Sequence, residues 1–291
     1  MILLSGKEVS QHVYGTLTPR IQALKDKHIT PGLAVVLVGS DPASQVYVRS
    51  KTKRFASLNL FSETFELEHN TSENDLIQLI HSLNTNPQFH GILVQSPLPK
   101  HINYDRVLDE ILPEKDVDGF HPVNLGKLAQ GRPSFVACTP KGIMRILDYY
   151  AISLSGKHAA IVGRSNIVGR PLSLLMSLKT KGANATTTVC HSGTKHLADI
   201  TKSADVVVAA IGIPELIDNS FVKPDSIVID VGINRVPTTE NEKGYRIVGD
   251  VNFKSVQEKV GAITPVPGGV GPMTIAMLVE NTVEAAESHL K

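Results

Sequence analysis

The sequence predicts an α/β protein of two α/β domains, the second a doubly wound parallel sheet, with a cleft between them. Three observations predict it. Short apolar runs alternate with amphipathic stretches in both halves of the chain, as βαβ units require. A polar stretch rich in turn formers, residues 113–142, separates the two alternating regions. The chain has 291 residues, more than one typical domain needs.

The elements follow in order. Residues 33–38, Leu-Ala-Val-Val-Leu-Val, read as a buried strand ended by Gly39. A helix follows, capped by Asp41, with Pro42 at its first position, where no amide hydrogen is needed. A second helix covers 74–83, and residues 91–95 form the next buried strand, stopped by Pro97 and Pro99. Residues 113–142 read as loop, and a long irregular segment inside a compact protein is more often functional than idle. A helix from about 141 to 150 links the two domains. Strands are then expected at 158–162, 186–190, 205–211 and 226–231, and a polar hairpin or loop at 237–250. The last helix starts near Pro272, and it is expected to return to the first domain and make that domain discontinuous.

Composition excludes several classes. Hydrophobic residues make up 42% and charged residues 20%, ordinary for a soluble globular enzyme. The net charge is +1 with no long run of one sign, which argues against a nucleic-acid partner. Cys138 and Cys190 are the two cysteines, and they fit neither a zinc spacing nor a disulfide framework. Reduced thiols of a cytoplasmic protein are the expectation. The apolar start is too short for a signal peptide, and no stretch is long enough for a membrane span. The eleven histidines include no metalloprotease motif, and no metal is expected.

Gly163-Arg164-Ser165-Asn166-Ile167-Val168-Gly169 follows a buried strand and precedes a helix. That is where a doubly wound, Rossmann-like sheet binds phosphates. Ser165 stands where the second glycine of the usual fingerprint would be, so the pattern alone also fits a plain strand-to-helix turn. Arg164 adds a forked cation suited to a phosphate monoester. The next strand ends Cys190-His191-Ser192 with no acidic residue to hold an NAD ribose, which favours NADP.

Tyr47 and Lys51 are four apart, hence on one helical face with Phe55 and Leu58. A lysine there is partly desolvated, the setting in which it can exchange protons near neutral pH. A surface tyrosine with a snorkelling lysine has the same spacing. Tyr-x-x-x-Lys also occurs in short-chain dehydrogenases, but there it follows the glycine-rich turn, whereas here it precedes it. Gln95 ends a strand where open α/β sheets place ligands. Asp118 can accept two parallel hydrogen bonds from an amino-heterocycle edge, although Asp116 competes for that role. The Pro-Val-Pro-Gly-Gly-Val-Gly-Pro stretch, residues 265–272, pairs stiff prolines with bare backbone and suits a flat ligand or a crossover between domains.

Taken together, Ser44 to Lys51, Val94-Gln95-Ser96-Pro97-Leu98-Pro99, Lys115 to Pro122, Cys138-Thr139-Pro140-Lys141-Gly142, Gly163 to Pro171, Asp230-Val231-Gly232-Ile233-Asn234 and Thr264 to Thr274 resemble one family. It is the bifunctional methylenetetrahydrofolate dehydrogenase/cyclohydrolase family, and the likeness runs over nearly the whole chain. The resemblance implies that residues 1–140 with 272–291 form a folate-binding catalytic domain and 141–271 an NADP-binding, Rossmann-like domain. It implies oxidation of 5,10-methylenetetrahydrofolate with NADP, then hydrolysis of the methenyl product to 10-formyltetrahydrofolate. Lys51 would be the central catalytic group, hydrogen-bonded to Gln95. Tyr47 would stack near the pterin and hold Lys51, and Asp118 would bind the pterin's amino edge. Gly268, Gly269 and Pro272 would wall the folate, and Gly163, Arg164, Ser165, Ser192 and Ile233 would hold NADP. A homodimer is also implied.

Three positions depart from the family pattern. Ser96 replaces a leucine, Ala137 a proline, and Asn59 a frequent glycine whose left-handed backbone asparagine tolerates. Two other readings bear on function. A dehydrogenase without the hydrolytic step is opposed by Lys51 with Gln95. A silent NADP-binding module would lack Lys51 or Asp118, and both are present.

Overall fold

The structure, a computed structural model, describes residues 1–239 and 244–290. In chain order the elements are β1 (Ile2–Leu3), α1 (Gly6–Lys25), β2 (Gly32–Val38), α2 (Pro42–Ser57), β3 (Phe61–Leu67), α3 (Glu73–Thr85), β4 (Gly91–Val94) and α4 (Tyr104–Asp109). There follow α5 (Pro122–Ala129), α6 (Cys138–Tyr149), β5 (His158–Val162), α7 (Gly169–Ser177), β6 (Thr186–Cys190), α8 (Leu197–Ser203) and β7 (Val206–Ala209). The chain ends with β8 (Ile227–Asp230), β9 (Asn234–Pro237), β10 (Tyr245–Val248), α9 (Phe253–Val256), β11 (Ala262–Ile263) and α10 (Val270–Ser288).

Contacts divide the chain into two compact units, the first being Val13–Cys138 with Ile275–Lys291 and the second Met1–His12 with Thr139–Thr274. In the first unit β3, β2 and β4 form a three-stranded parallel sheet with β2 in the centre. Every residue of β2 is buried, as expected for a central parallel strand covered on both faces. Ala34, Val36 and Val38 alternate onto one face and pack with Leu76, Ile80 and Leu83 of α3 and with Ile92 and Val94 of β4. α3 is entered through Ser72, whose side chain accepts from the Asp75 amide.

The second unit holds a six-stranded sheet in the order β1-β11-β8-β7-β5-β6, parallel throughout. β6 lies on one side of β5 and β7 on the other, so the winding reverses at the carboxyl ends of β5 and β7. Doubly wound sheets bind their ligands at such a reversal. β9 and β10 pair antiparallel as a separate hairpin. Residues 240–243 of the hairpin or loop expected at 237–250 lie outside the described residues.

Two expectations need correction. The first twelve residues do not group with the first unit: Ile2 and Leu3 pair with Ala262 and Ile263 and supply an edge strand of the second sheet. A two-residue strand carries too little periodicity to be read in the sequence. Residues 113–142 are not one loop either. α5 lies inside them, with Pro122 at its first position and His121 Nδ1 accepting from the Val123 amide at 3.0 Å. α6 also begins earlier than expected, at Cys138.

Candidate active site

The site in the first unit is built from the carboxyl ends of β2 and β4, helix α2 and the loop before α5. Asp41 caps α2 by accepting from the Ser44 amide at 2.7 Å, and Pro42 fills the first position, both as expected. The buried stripe of α2 is Ser44, Val48, Lys51 and Phe55. Lys51 is therefore the one charged member of a packed face. It retains 8% exposure above a fully buried Phe55, while Tyr47, one turn earlier, stays 43% exposed.

A buried ammonium needs acceptors. Lys51 Nζ donates to Gln95 Oε1 at 3.0 Å. Gln95 follows β4 immediately, and its Nε2 donates to the Ser96 carbonyl oxygen at 2.7 Å. That second bond fixes which end of the Gln95 amide faces Lys51. Ser96 contributes here through its carbonyl, which a leucine would supply equally, so this departure from the family pattern leaves the Lys51–Gln95 pair intact.

Asp116 and Asp118 differ in how many donors reach them. Asp116 is almost fully buried and accepts from the amides of Gly119, Phe120 and His121 and from Asn124 Nδ2, at 2.8–3.2 Å. Its oxygens are committed to holding the loop. Asp118 is partly buried, and its side chain is not used in this way. Burial pushes the Asp118 carboxyl up, the Lys51 ammonium pulls it down, Asp116 pushes it up again and a hydrogen bond with Cys138 lowers it; the net direction is up. Lys51, Gln95 and Asp118 are thus brought into one electrostatic neighbourhood.

One side chain that sequence reasoning missed, and one backbone amide, hold this loop. Asn281 of α10, fully buried, donates to the carbonyl oxygens of Val117 at 2.8 Å and Val136 at 3.2 Å. The Cys138 amide donates to the Asp118 carbonyl oxygen at 3.3 Å. A polar residue in an amphipathic helix carries no sequence signal of burial, which is why Asn281 went unread. Gly119 has φ +78, and a Cβ there would run into the backbone of Val136 and Ala137. Asn59 adopts φ +52, the left-handed conformation expected of it.

In the second unit the turn after β5 is tight. Gly163 has φ +135, and a Cβ there would meet the Ala210 carbonyl oxygen. Ser165 Oγ accepts from the Val168 amide at 3.2 Å, and its carbonyl oxygen accepts from the Arg170 amide at 3.1 Å. This close-packed turn opens α7 at the reversal of the winding, a cradle that suits a dinucleotide's phosphates. The Arg164 side chain is exposed and makes no hydrogen bond or ion pair among the described residues. Ser192, exposed, follows β6, whose Cys190 is in register with Val162 of β5. Farther along the same sheet edge, Ile233, Gly268, Gly269 and Pro272 line one pocket of about 190 Å³ with Asp230 and Pro265. Among the described residues no group of His, Cys, Asp or Glu is placed to hold a metal, and no helix is long and apolar enough to cross a membrane.

A doubly wound sheet with a glycine turn and an exposed arginine at its switch point, in a chain that also buries a lysine against a glutamine, defines a nicotinamide-dinucleotide-dependent α/β enzyme. Known proteins narrow the class. Residues 4–118 match the tetrahydrofolate dehydrogenase/cyclohydrolase catalytic domain, and 137–290 match the NAD(P)-binding domain of that family. The chain is 51% identical over 293 residues to the bifunctional protein FolD of Chloroherpeton thalassium, covering 100% of both chains. It superposes on the crystal structure of the bifunctional FolD methylenetetrahydrofolate dehydrogenase/cyclohydrolase from Campylobacter jejuni with TM-score 0.94 and 49% identity, covering 99% of each chain. The Trypanosoma brucei FolD structure, complexed with NADP cofactor and inhibitor, matches with TM-score 0.94 and 36% identity over 100% of this chain and 99% of that one. The chain belongs to the tetrahydrofolate dehydrogenase/cyclohydrolase family. It is an NAD(P)-dependent enzyme of folate one-carbon metabolism. It oxidises 5,10-methylenetetrahydrofolate to the methenyl compound and hydrolyses that to 10-formyltetrahydrofolate.

Proposed function

We propose that the hydrolytic step is carried by Lys51, with Gln95 holding its ammonium group and Tyr47 covering it. The observation that carries this reading is the 3.0 Å bond from a buried Lys51 to Gln95. Water adds to the methenyl carbon and the bond to N5 breaks, leaving the formyl group on N10; Lys51 assists by taking up a proton from the water as it gives one of its own to N5, and the one proton left over goes to solvent. Asp118 binds the amino edge of the pterin through paired hydrogen bonds, which need its carboxylate form. Lys51 favours that form, so the two residues support each other. Gly268, Gly269 and Pro272 form a wall for the folate.

NADP, when bound, supplies the hydride acceptor. Gly163 and Ser165 fit its phosphates through the tight turn before α7. Arg164 and Ser192 bind the additional phosphate and favour NADP over NAD. Ile233 packs against the cofactor from the 230–234 segment. The first unit is the folate-binding catalytic domain and the second the NADP-binding domain. The chain works as a homodimer in the cytoplasm, a compartment consistent with a chain of only two cysteines, both buried.

One assay tests the catalytic reading. Purified protein is mixed with methylenetetrahydrofolate and NADP, and NADPH and methenyl absorbance are followed together. NADPH without lasting methenyl accumulation is the expected result. Accumulating methenyl product would leave a dehydrogenase alone, and no NADPH would defeat the reading. Light scattering in solution tests the dimer, and a monomer mass would remove it.

A further inference from the structure

Two buried carboxylates lie behind the dinucleotide edge of the second unit, and the reaction as described uses neither. Asp250 is fully buried and Asp230 nearly so. Asp250 Oδ2 accepts from the amides of Ile211 at 2.6 Å and Gly212 at 2.9 Å, in the loop after β7. Its Oδ1 accepts from Asn234 Nδ2 at 2.8 Å, at the start of β9. Asp230, at the end of β8, accepts from the amides of Gly232 at 3.0 Å, Asp250 at 2.9 Å and Val251 at 3.0 Å. Six N–H donors thus converge on two carboxylates, and neither makes an ion pair among the described residues.

The packing is reciprocal. A Cβ on Gly232 would run into the Asp250 carboxylate, and a Cβ on Gly249 into the Asp230 carboxylate. Each carboxylate therefore sits where the other's segment has no side chain. Burying carboxylates this deeply is costly, and burial pushes the Asp230 carboxyl up to about 6 against the pull of its amide donors. Replacing either carboxylate by an apolar side chain would strand the buried amides it holds, so the pair fixes the backbone segments those amides belong to. The segments held are functional ones. Ile211 and Gly212 follow Ala210, whose carbonyl oxygen lies against Gly163 of the phosphate turn. Gly232 and Ile233 line the pocket with Gly268 and Pro272.

We propose that Asp250, backed by Asp230, is a positioning residue for the hydride-transfer half of the enzyme: it sets the two backbone rims, Ile211–Gly212 and Gly232–Ile233, against which the dinucleotide is aligned. This rests on the two-reaction assignment and on none of the roles given to Lys51 or Asp118. Hydrolysis of the methenyl compound needs no hydride alignment, so the two reactions respond differently to the loss of Asp250.

The test measures three quantities in the wild type, Asp250→Ala, Asp250→Asn and Asn234→Ala: NADP-dependent oxidation (kcat and KM separately), hydrolysis of methenyltetrahydrofolate without NADP, and the melting temperature. Asp250→Ala is expected to lower oxidation kcat/KM by roughly 10–100-fold, the scale of a misaligned reacting pair, with hydrolysis little changed. Asp250→Asn should restore most of the oxidation. Its oxygen can face Ile211 and Gly212, and Asn234 can turn its own amide to accept from the new NH2. Asn234→Ala should give a smaller selective loss, and it keeps the proposal testable if Asp250→Ala does not fold. Equal loss of both reactions in every variant that folds would make the pair a general scaffold and overturn the proposal. Unchanged oxidation in Asp250→Ala, or in Asn234→Ala where that variant alone folds, would overturn it as well.

Discussion

Lys51 Nζ lies 3.0 Å from Gln95 Oε1, and this bond joins the buried face of α2 to the residue that follows β4. The other end of the Gln95 amide is bonded to the Ser96 carbonyl oxygen at 2.7 Å, so its oxygen is the end that faces Lys51. Gln95 is neutral, so this bond orients the Lys51 amine without adding a second charge to the site.

Replacing Lys51 by Met keeps the volume of the buried stem and removes the ammonium. Methenyl hydrolysis is expected to fall by roughly 100-fold or more, the usual weight of a positioned proton-transfer group. NADP binding, followed by fluorescence titration, should be unchanged. Undiminished hydrolysis in this variant would remove Lys51 from its role.

The same variant has an effect on Asp118. Lys51 is the group that lowers the Asp118 carboxyl against burial and Asp116. Without it the carboxyl rises further, and folate binding, which needs the ionised form, is lost as pH falls through that value. The acid limb of folate binding should therefore move to higher pH in Lys51→Met. Binding of a folate analogue measured across pH checks this, and coincident acid limbs for the two proteins would refute it.

Arg164→Ala should weaken NADP by roughly 10–100-fold, the range of a charge-assisted hydrogen bond, and affect NAD far less. Paired titrations with the two cofactors decide it. Equal weakening would mean that Arg164 does not read the additional phosphate.

His90 predicts a pH dependence of stability that has nothing to do with catalysis. It is 7% exposed, and its Nδ1 accepts from the Gly32 amide at 3.1 Å. Burial, then His289 and Lys115, lowers its pKa from 6.5 to about 4. Between those values the unfolded chain binds a proton that the folded chain refuses, so stability falls as pH drops through that window. The full loss is about 3 kcal/mol, complete only below the folded value. Heat unfolding of the wild type and of His90→Gln, compared between about pH 7 and about pH 5, should show the smaller drop in the variant. Equal drops would assign the dependence to other groups.

Much of this architecture was legible in the sequence because the signals were local. Asp41 with Pro42 marked the start of α2, and the runs at 158–162 and 186–190 gave β5 and β6 to the residue. The Lys51–Gln95 meeting was legible in part: Lys51 was placed on a partly apolar helix face and Gln95 at the carboxyl end of a strand, but only the resemblance paired them. What escaped depended on distant partners. β1 is a strand only because β11 lies beside it. Asn281 looks like an ordinary helical asparagine until Val117 and Val136 present their carbonyl oxygens to it. Spacing also could not tell that Asp116, and not Asp118, has four donors converging on it from the loop and α5. α5 was hidden by the turn formers around its start, since Pro122, counted among them, begins a helix.

The discontinuity of both units has a consequence for synthesis on the ribosome. The first unit's sheet emerges early, yet the loop bearing Asp118 is clamped by Asn281, 164 residues after Val117. The second unit starts with β1, which waits for β11 before it can pair. A nascent chain therefore carries two unfinished halves until its last helix is made, and a product truncated before α10 would have every proposed catalytic residue and no properly held Asp118 loop.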